Sequence, residues 1–209
     1  MDFSKVKHGS VTAELVGTFT LTLAILASTW GILPLIPTAV IAGLTLAIFV
    51  MSVGHASGAN LNPAVTLGLF SIRKLDAANT VSYLIAQFSG ALSAIVIMSL
   101  FLEGELVTRL AVSSDYKTFF AEFLGTLIFT FGIAAALQQK LKGADSGLLI
   151  GGSLTLGIIL ASLGSAGVIN PAVATSLGVF NWTYALGPVL GAIVGMNVYV
   201  LALGKKGKI

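Results

Sequence analysis

Two asparagines open the same tripeptide, Asn62-Pro63-Ala64 and Asn170-Pro171-Ala172, 108 residues apart. Asparagine caps helix N-termini well, and proline suits the first helical turn, where its missing N–H costs nothing. Each tripeptide therefore predicts a helix that starts at the asparagine and holds a side-chain amide at its tip. Turned into a lumen, such amides are paired donors for a passing oxygen. Any helix can begin this way, so one copy says little. The same interval, however, separates two copies of Ala-Glu-x-x-Gly-Thr, at Ala13-Glu14-Leu15-Val16-Gly17-Thr18 and Ala121-Glu122-Phe123-Leu124-Gly125-Thr126. The halves align over about 50 residues without a gap, which predicts a duplication. Each half also carries a glutamate, Glu14 or Glu122, inside an apolar run, where an ionisable group is costly and marks function by default.

The elements that position these groups follow from composition. The chain of 209 residues is 56% hydrophobic and only 9% charged, with mean hydropathy +0.99. That is too few charges to coat a soluble globule, so the surroundings are membrane lipid. Apolar runs of about 20 residues, long enough to cross a bilayer as helices, cover roughly 11–31, 38–57, 80–102, 118–139, 147–165 and 183–204. Two shorter runs follow the tripeptides, roughly 63–71 and 171–179, and read as half-helices that enter and return. The fold expected is an all-α membrane protein with six transmembrane helices and two re-entrant half-helices. Three spans per half is odd, so the halves, about 1–107 and 108–209 of a single domain, form an inverted repeat. Met1 to Ser10 is polar and the run from Val11 lacks a small-residue cleavage site, which predicts a retained first span. Zero cysteines exclude a disulfide framework and a thiolate metal site.

With the N-terminus in the cytoplasm, nine of the eleven basic residues lie inside: Lys5, Lys7, Arg73, Lys74, Lys140, Lys142, Lys205, Lys206 and Lys208, leaving Arg109 and Lys117 outside. The positive-inside rule favours that topology, a multi-pass protein of a cell membrane with both termini cytoplasmic. Half-helices related by an in-plane pseudo-two-fold axis enter from opposite faces, so two positive dipole ends meet near the midplane. A molecule there must turn its lone pairs toward the donors. Its neighbours on the two sides then point oppositely, which interrupts a proton wire, and cations are repelled.

The chain resembles the major intrinsic protein family, the aquaporins and glycerol facilitators, over nearly its full length. The residues that carry this are the segment from Gly54 and His55 through Asn60-Leu61-Asn62-Pro63-Ala64-Val65-Thr66, both Ala-Glu-x-x-Gly-Thr openings, Ala86-Gln87 before Gly90-Ala91, and Gly187-Pro188 before Gly191-Ala192. The resemblance implies a right-handed aquaporin-like bundle and a passive channel with one pore per chain. Water and small neutral solutes are its implied partners, and homotetramers are common in that family. Similar proteins carry arginine directly after the second Asn-Pro-Ala; here the residue is Val173. The other selectivity-constriction positions fall on Ala42, Ile158 and Gly167, none with a polar side-chain group, so the constriction is expected to be wide and greasy. Glycerol, urea and ammonia then become candidate solutes beside water.

Glu14 and Glu122 are expected as buried structural braces, because a carboxylate accepts several of the N–H groups that the half-loops leave without helical partners. His55, seven residues before Asn62, is placed on the loop at the inner mouth as a lumen donor or a residue that orders its loop. Gly43, Gly90, Gly157 and Gly191 are expected to let helices approach closely, and Trp30 and Trp182 to anchor span ends at the interface. Two other functions fit inverted repeats: a secondary active transporter, although no intramembrane Asp, Lys or Arg supplies a coupling-ion site, and a closed pore with a structural role. No basic stripe with interleaved aromatics suggests nucleic acid. No nucleophile-base pair, metal cluster or phosphate-binding glycine loop suggests an enzyme or a cofactor.

Overall fold

The computed structural model describes residues 1–31, 36–102 and 113–204, and every regular element among them is helical. After a short 3-10 turn at Phe3–Lys5 come α1 (His8–Thr29), α2 (Thr38–Ser57), α3 (Pro63–Ser71), α4 (Ala77–Phe101), α5 (Tyr116–Gln139), α6 (Gly143–Ala161), α7 (Pro171–Ser176) and α8 (Trp182–Leu203). Six of these are long and apolar enough to span a membrane; α3 and α7 are not. Leu44, Ile48, Ile85, Val96, Leu148, Leu156 and Leu201 face outward, while Glu14, Thr18, Gln87, Glu122 and Thr126 are fully buried. Most of these polar groups meet partners, the Thr18 hydroxyl and Gln87 Oε1 having none among the described residues, and the lipid-facing shell is hydrocarbon. Lys205, Lys206, Lys208, Arg109, Glu103 and Glu105 lie outside the described residues.

Helix ends follow local chemistry. Asp76 accepts from the Ala78 and Asn79 N–H groups, which starts α4 three residues earlier than the apolar run suggests; Asp115 does the same for α5 through Thr118 N and Asn181 for α8 through Thr183 N. The second half-helix, expected to reach 179, ends at Ser176. Gly178 takes φ 71° and the Val179 N–H closes back onto the Ala174 carbonyl, a glycine-terminated C-cap. The fifth span runs from Gly143 to Ala161 rather than 147–165. Its expected last turn leaves the helix because Ser165 is drawn to Glu122, to which its hydroxyl donates at 2.6 Å.

Long helices pair through small residues. On α4, Gly90 rests on the Leu15 carbonyl of α1; on α8, Gly191 rests on the Phe123 carbonyl of α5, in the same register of the other half. At the α2–α6 crossing, Gly43 and Gly151 are neighbours, and a Cβ on either would strike the other's carbonyl oxygen. Without a hydrophobic drive between helices in lipid, such close approach supplies the packing and dispersion that hold them. The half-helices dock on the long ones: Ser176 of α7 donates to the Ala91 carbonyl of α4 at 2.7 Å, and Gly68 of α3 lies against Ala192 of α8.

Candidate functional site: the junction of the two half-helices

Asn62 and Asn170 are the N-caps of α3 and α7. The Asn62 side-chain oxygen accepts from Ala64 N at 2.8 Å, and that of Asn170 from Ala172 N at 3.1 Å and Val173 N at 3.4 Å. Pro63 and Pro171 occupy the first helical position, and both tripeptides are buried. The amide nitrogens go across the junction: Asn62 Nδ2 donates to the Ile169 carbonyl at 2.8 Å and Asn170 Nδ2 to the Leu61 carbonyl at 2.9 Å. Each asparagine thus grips the residue that precedes the other. An amide nitrogen has two hydrogens, so one donor per asparagine is left after this exchange. The sequence predicts both amides turned to a lumen but gives no sign of the reciprocal clasp.

The gripped residues have unusual backbones. Leu61 has φ 50° and Ile169 φ 43°, and two residues earlier Ala59 has φ 52° and Gly167 φ 65°. A left-handed conformation at a residue other than glycine costs about 1–3 kcal/mol and persists only when its surroundings over-determine it. Here both ends of the residue are fixed. Leu61 N donates to Glu14 Oε2 at 2.8 Å while its carbonyl accepts from Asn170; Ile169 N donates to Glu122 Oε2 at 2.6 Å while its carbonyl accepts from Asn62.

Glu14 also accepts from Ser57 Oγ at 2.7 Å, Asn60 N at 2.9 Å and Gln87 Nε2 at 2.7 Å. Glu122 accepts from Ser165 Oγ and, at 3.0 Å, Val168 N. The two serines stand 108 residues apart, so the repeat marks them in the sequence. Gln87 further donates to Thr66 Oγ1 at 2.8 Å, and Asn60 Nδ2 reaches the same oxygen at 3.2 Å.

On the side of the membrane where α1 ends and α2 begins, a cavity of about 540 Å³ is lined by Ile158, Gly167 and Val173. Ala42 sits one turn along α2 from Thr38 and Ala39 of that wall and is itself fully buried. Gly167 is locked small: a Cβ there would run into Ser162 Oγ, and lies 2.9 Å from the Ile158 carbonyl. Ser28, Thr29, Thr38 and Ser162, which no motif marks, also line the mouth. His55 is in the last turn of α2, exposed, rather than on the loop. Trp30 caps the end of α1 and Trp182 begins α8, its ring stacked on Phe119 at 5.6 Å.

The family model for the major intrinsic protein matches residues 4–199. A probable aquaporin NIP7-1 of Arabidopsis thaliana is 33% identical over 206 residues, covering 90% of this chain and 74% of the relative, and Nodulin-26 of Glycine max is 31% identical over 203 residues, covering 90% and 75%. The X-ray structure of the aquaglyceroporin from Plasmodium falciparum superposes with TM-score 0.71, covering 91% of this chain and 94% of that one, at 21% identity, a likeness of fold.

Proposed function

Since this chain belongs to the major intrinsic protein family of membrane channels, we propose that it conducts water and small uncharged solutes passively and excludes protons and ions at the paired Asn-Pro-Ala motifs. The observation that carries the reading is the reciprocal amide–carbonyl clasp between Asn62 and Ile169 and between Asn170 and Leu61. It fixes two amide groups at one level, each with a hydrogen left over to donate to a passing oxygen. A water that accepts from both presents its hydrogens up and down the pore, so no chain of donors runs through in one direction. The N-terminus of α3 adds a positive dipole end at the same level, and the capped first turn of α7 faces it.

In this reading Glu14 and Glu122 are braces that hold the re-entrant loops from behind, and neither takes part in transport. Ala42, Ile158, Gly167 and Val173 form the selectivity constriction of the outer half, and His55 stands at the inner mouth. Residues 1–209 make one channel domain, its halves divided near 107 and 108, with both termini in the cytoplasm of a cell-membrane protein that assembles as a homotetramer.

The test is stopped-flow light scattering of proteoliposomes under osmotic gradients of an impermeant solute and of glycerol and urea, with proton conductance followed in the same vesicles. Protein-dependent water or solute flux without proton leakage is expected. Asn170→Asp should admit cations, because it places a negative charge where two positive helix ends meet. Flux no greater than that of empty vesicles sinks the channel reading, and unchanged ion exclusion in the aspartate variant sinks the account of the junction.

A further inference from the structure

The half-helix α3 ends close to lipid. It packs on α4 and α8, and α8 turns Val194, Val198 and Leu201 outward. Asn197 of α8 donates through Nδ2 to Ser71 Oγ at 2.9 Å, and α8 runs on to Leu203, about 9 Å further at the helical rise of 1.5 Å per residue. The last turn of α3 therefore stops inside the end of α8, at the depth where headgroups meet acyl chains. A groove of about 560 Å³ opens beside it, lined by Phe70, Ser71, Arg73, Lys74, Leu75 and Asp76, with Phe70, Arg73 and Lys74 exposed.

Arg73 also closes the helix. Lys74 N donates to the Leu69 carbonyl at 2.9 Å and Arg73 N to the Phe70 carbonyl at 3.0 Å, a cap whose left-handed residue is usually glycine. The chain uses glycine for such a turn at Gly58 and Gly178, whereas here an arginine takes φ 58°. A cation is thus kept where the backbone favours no side chain. Asp76 shares the groove, but its carboxylate accepts from Ala78 N, Asn79 N and Asn79 Nδ2. Among the described residues the one ion pair is Lys5 with Asp2, so neither Arg73 nor Lys74 has a carboxylate partner there. Two cations less one carboxylate leave the groove one net positive charge.

We propose that this groove binds the headgroup of an anionic lipid, with Arg73 and Lys74 on the phosphodiester and an acyl chain along Phe70. The guanidinium presents parallel N–H donors that match phosphate oxygens, and Lys74 adds a second cation on a flexible stem. A zwitterionic headgroup carries the same phosphate together with an ammonium group, which the net positive charge of the groove disfavours. One such charge near the headgroups is worth about fivefold in preference. The site lies at the far end of the half-helix that Asn62 begins, so a bound lipid holds α3 from the membrane side.

The experiment uses the full chain in phosphatidylcholine vesicles that hold a minority of phosphatidylglycerol, with one lipid or the other brominated on its acyl chains. Phe70→Trp, in a Trp30→Phe and Trp182→Phe background, reports by fluorescence quenching which lipid touches the groove. A local preference of about fivefold for phosphatidylglycerol is expected. It should fall to about one in Arg73→Gly, a variant that also relieves the left-handed residue and so keeps the fold. It should be unchanged in Lys140→Gly, which removes a left-handed basic cap outside the groove on the same membrane face. Where the reporter fails to fold, thermal midpoints in detergent decide: added phosphatidylglycerol should raise the parent more than added phosphatidylcholine does, and should not do so in Arg73→Gly. A parent without preference overturns the inference, as does an equal fall in Lys140→Gly, which would mean diffuse surface charge. A preference kept in Arg73→Gly, with stability lowered in every lipid, overturns it too, because Arg73 would then serve only the helix dipole. Relief of quenching by inorganic phosphate at fixed ionic strength would assign the groove to a soluble anion and overturn the lipid.

Discussion

The loops behind the two half-helices solve one geometric problem with different materials. In the first half Glu14 is embedded in a polar cluster: Gln87 bridges it to Thr66, and Asn60 reaches Thr66 as well. In the second half the residues at the corresponding places are Pro188, Ala174 and Val168, and Glu122 holds its loop through Ser165 and two backbone N–H groups. Yet the backbone outcome is the same, left-handed residues at 59 and 61 and at 167 and 169. The carboxylate, the serine and the asparagine clasp are what the two loops share, and the polar cluster around Glu14 is a local addition of the first half. The second half is the thinner of the two structures, and it is also the one that carries Gly167 and Val173.

Removing either carboxylate should break this arrangement most. Glu122→Ala leaves Val168 N and Ile169 N without their acceptor in a buried site, while the Ser165 hydroxyl keeps the Ala161 carbonyl, a loss of about 2–4 kcal/mol at roughly 1–3 kcal/mol per stranded group with some relaxation. Glu14→Ala strands Asn60 N, Leu61 N and the Ser57 hydroxyl, but the unpartnered Gln87 Oε1 and the Thr66 hydroxyl remain as acceptors to rearrange toward, so a smaller loss is expected. Thermal unfolding in detergent, followed by light scattering, checks the order. Equal losses would mean that the polar cluster adds nothing to the first loop.

Glutamine in place of glutamate sharpens the same contrast at lower energy. In both halves one carboxylate oxygen becomes an NH2 group that faces a backbone N–H. In the first half Gln87 has a buried Oε1 with no partner, so a flip of that amide gives the new NH2 an acceptor. Among the described residues no side chain occupies that role beside Glu122, where Pro188 stands in the place of Gln87. Glu14→Gln should therefore cost about 1 kcal/mol less than Glu122→Gln, and the advantage should vanish when Gln87→Leu is present, as a double-mutant cycle would read. A persistent advantage in the leucine background would show that the flip is not its source.

Much of this was legible in the chain. The 108-residue interval gave both tripeptides, both glutamates and the inward half-helices, because duplication copies the residues that do the work in each half. Span boundaries were less legible, since hydropathy marks where lipid is met and not where Asp76, Asp115 or Ser165 start or stop a helix. The clasp was hidden for a physical reason. It joins side chains to backbone carbonyls, which leave no residue-type signature, and it rests on left-handed leucine and isoleucine, which no propensity favours. Ala42 shows the same limit from the other side: counting from the motifs places it at the constriction, but whether a methyl group borders an open lumen depends on helix rotation, which sequence spacing does not fix.

Glycines separate packing from space within one helix. A Cβ at Gly151 would press on the Gly43 carbonyl, whereas a Cβ at Gly152 meets nothing within 4 Å. Gly151→Ala should lower stability by about 1–3 kcal/mol through overpacking at the α2–α6 crossing, and Gly152→Ala should raise it by about 0.5–1 kcal/mol through helix propensity. Thermal midpoints in detergent that move in the same direction for both would remove the crossing as the contact on which the halves close.

The smallest difference concerns how the last span of each half begins. The first turn of α4 is capped by a carboxylate, Asp76, and that of α8 by an amide, Asn181. Hydrogen bonds from the Asn79 backbone and side chain hold the Asp76 carboxyl below its usual range. A group with a lowered folded-state pKa contributes stability that is present above the unfolded value and lost as pH falls through the folded one. Acidification below the ordinary carboxylate range should therefore loosen the start of α4 and leave that of α8 unchanged. Because Asp76 is exposed, solvent screening keeps the effect small. Amide hydrogen exchange, corrected for intrinsic rates, should show lost protection at Ala78 and Asn79 but not at Thr183 across that window. Asp76→Asn should flatten the response at α4. Equal acid sensitivity at both helix starts would place the titrating group elsewhere than in the cap.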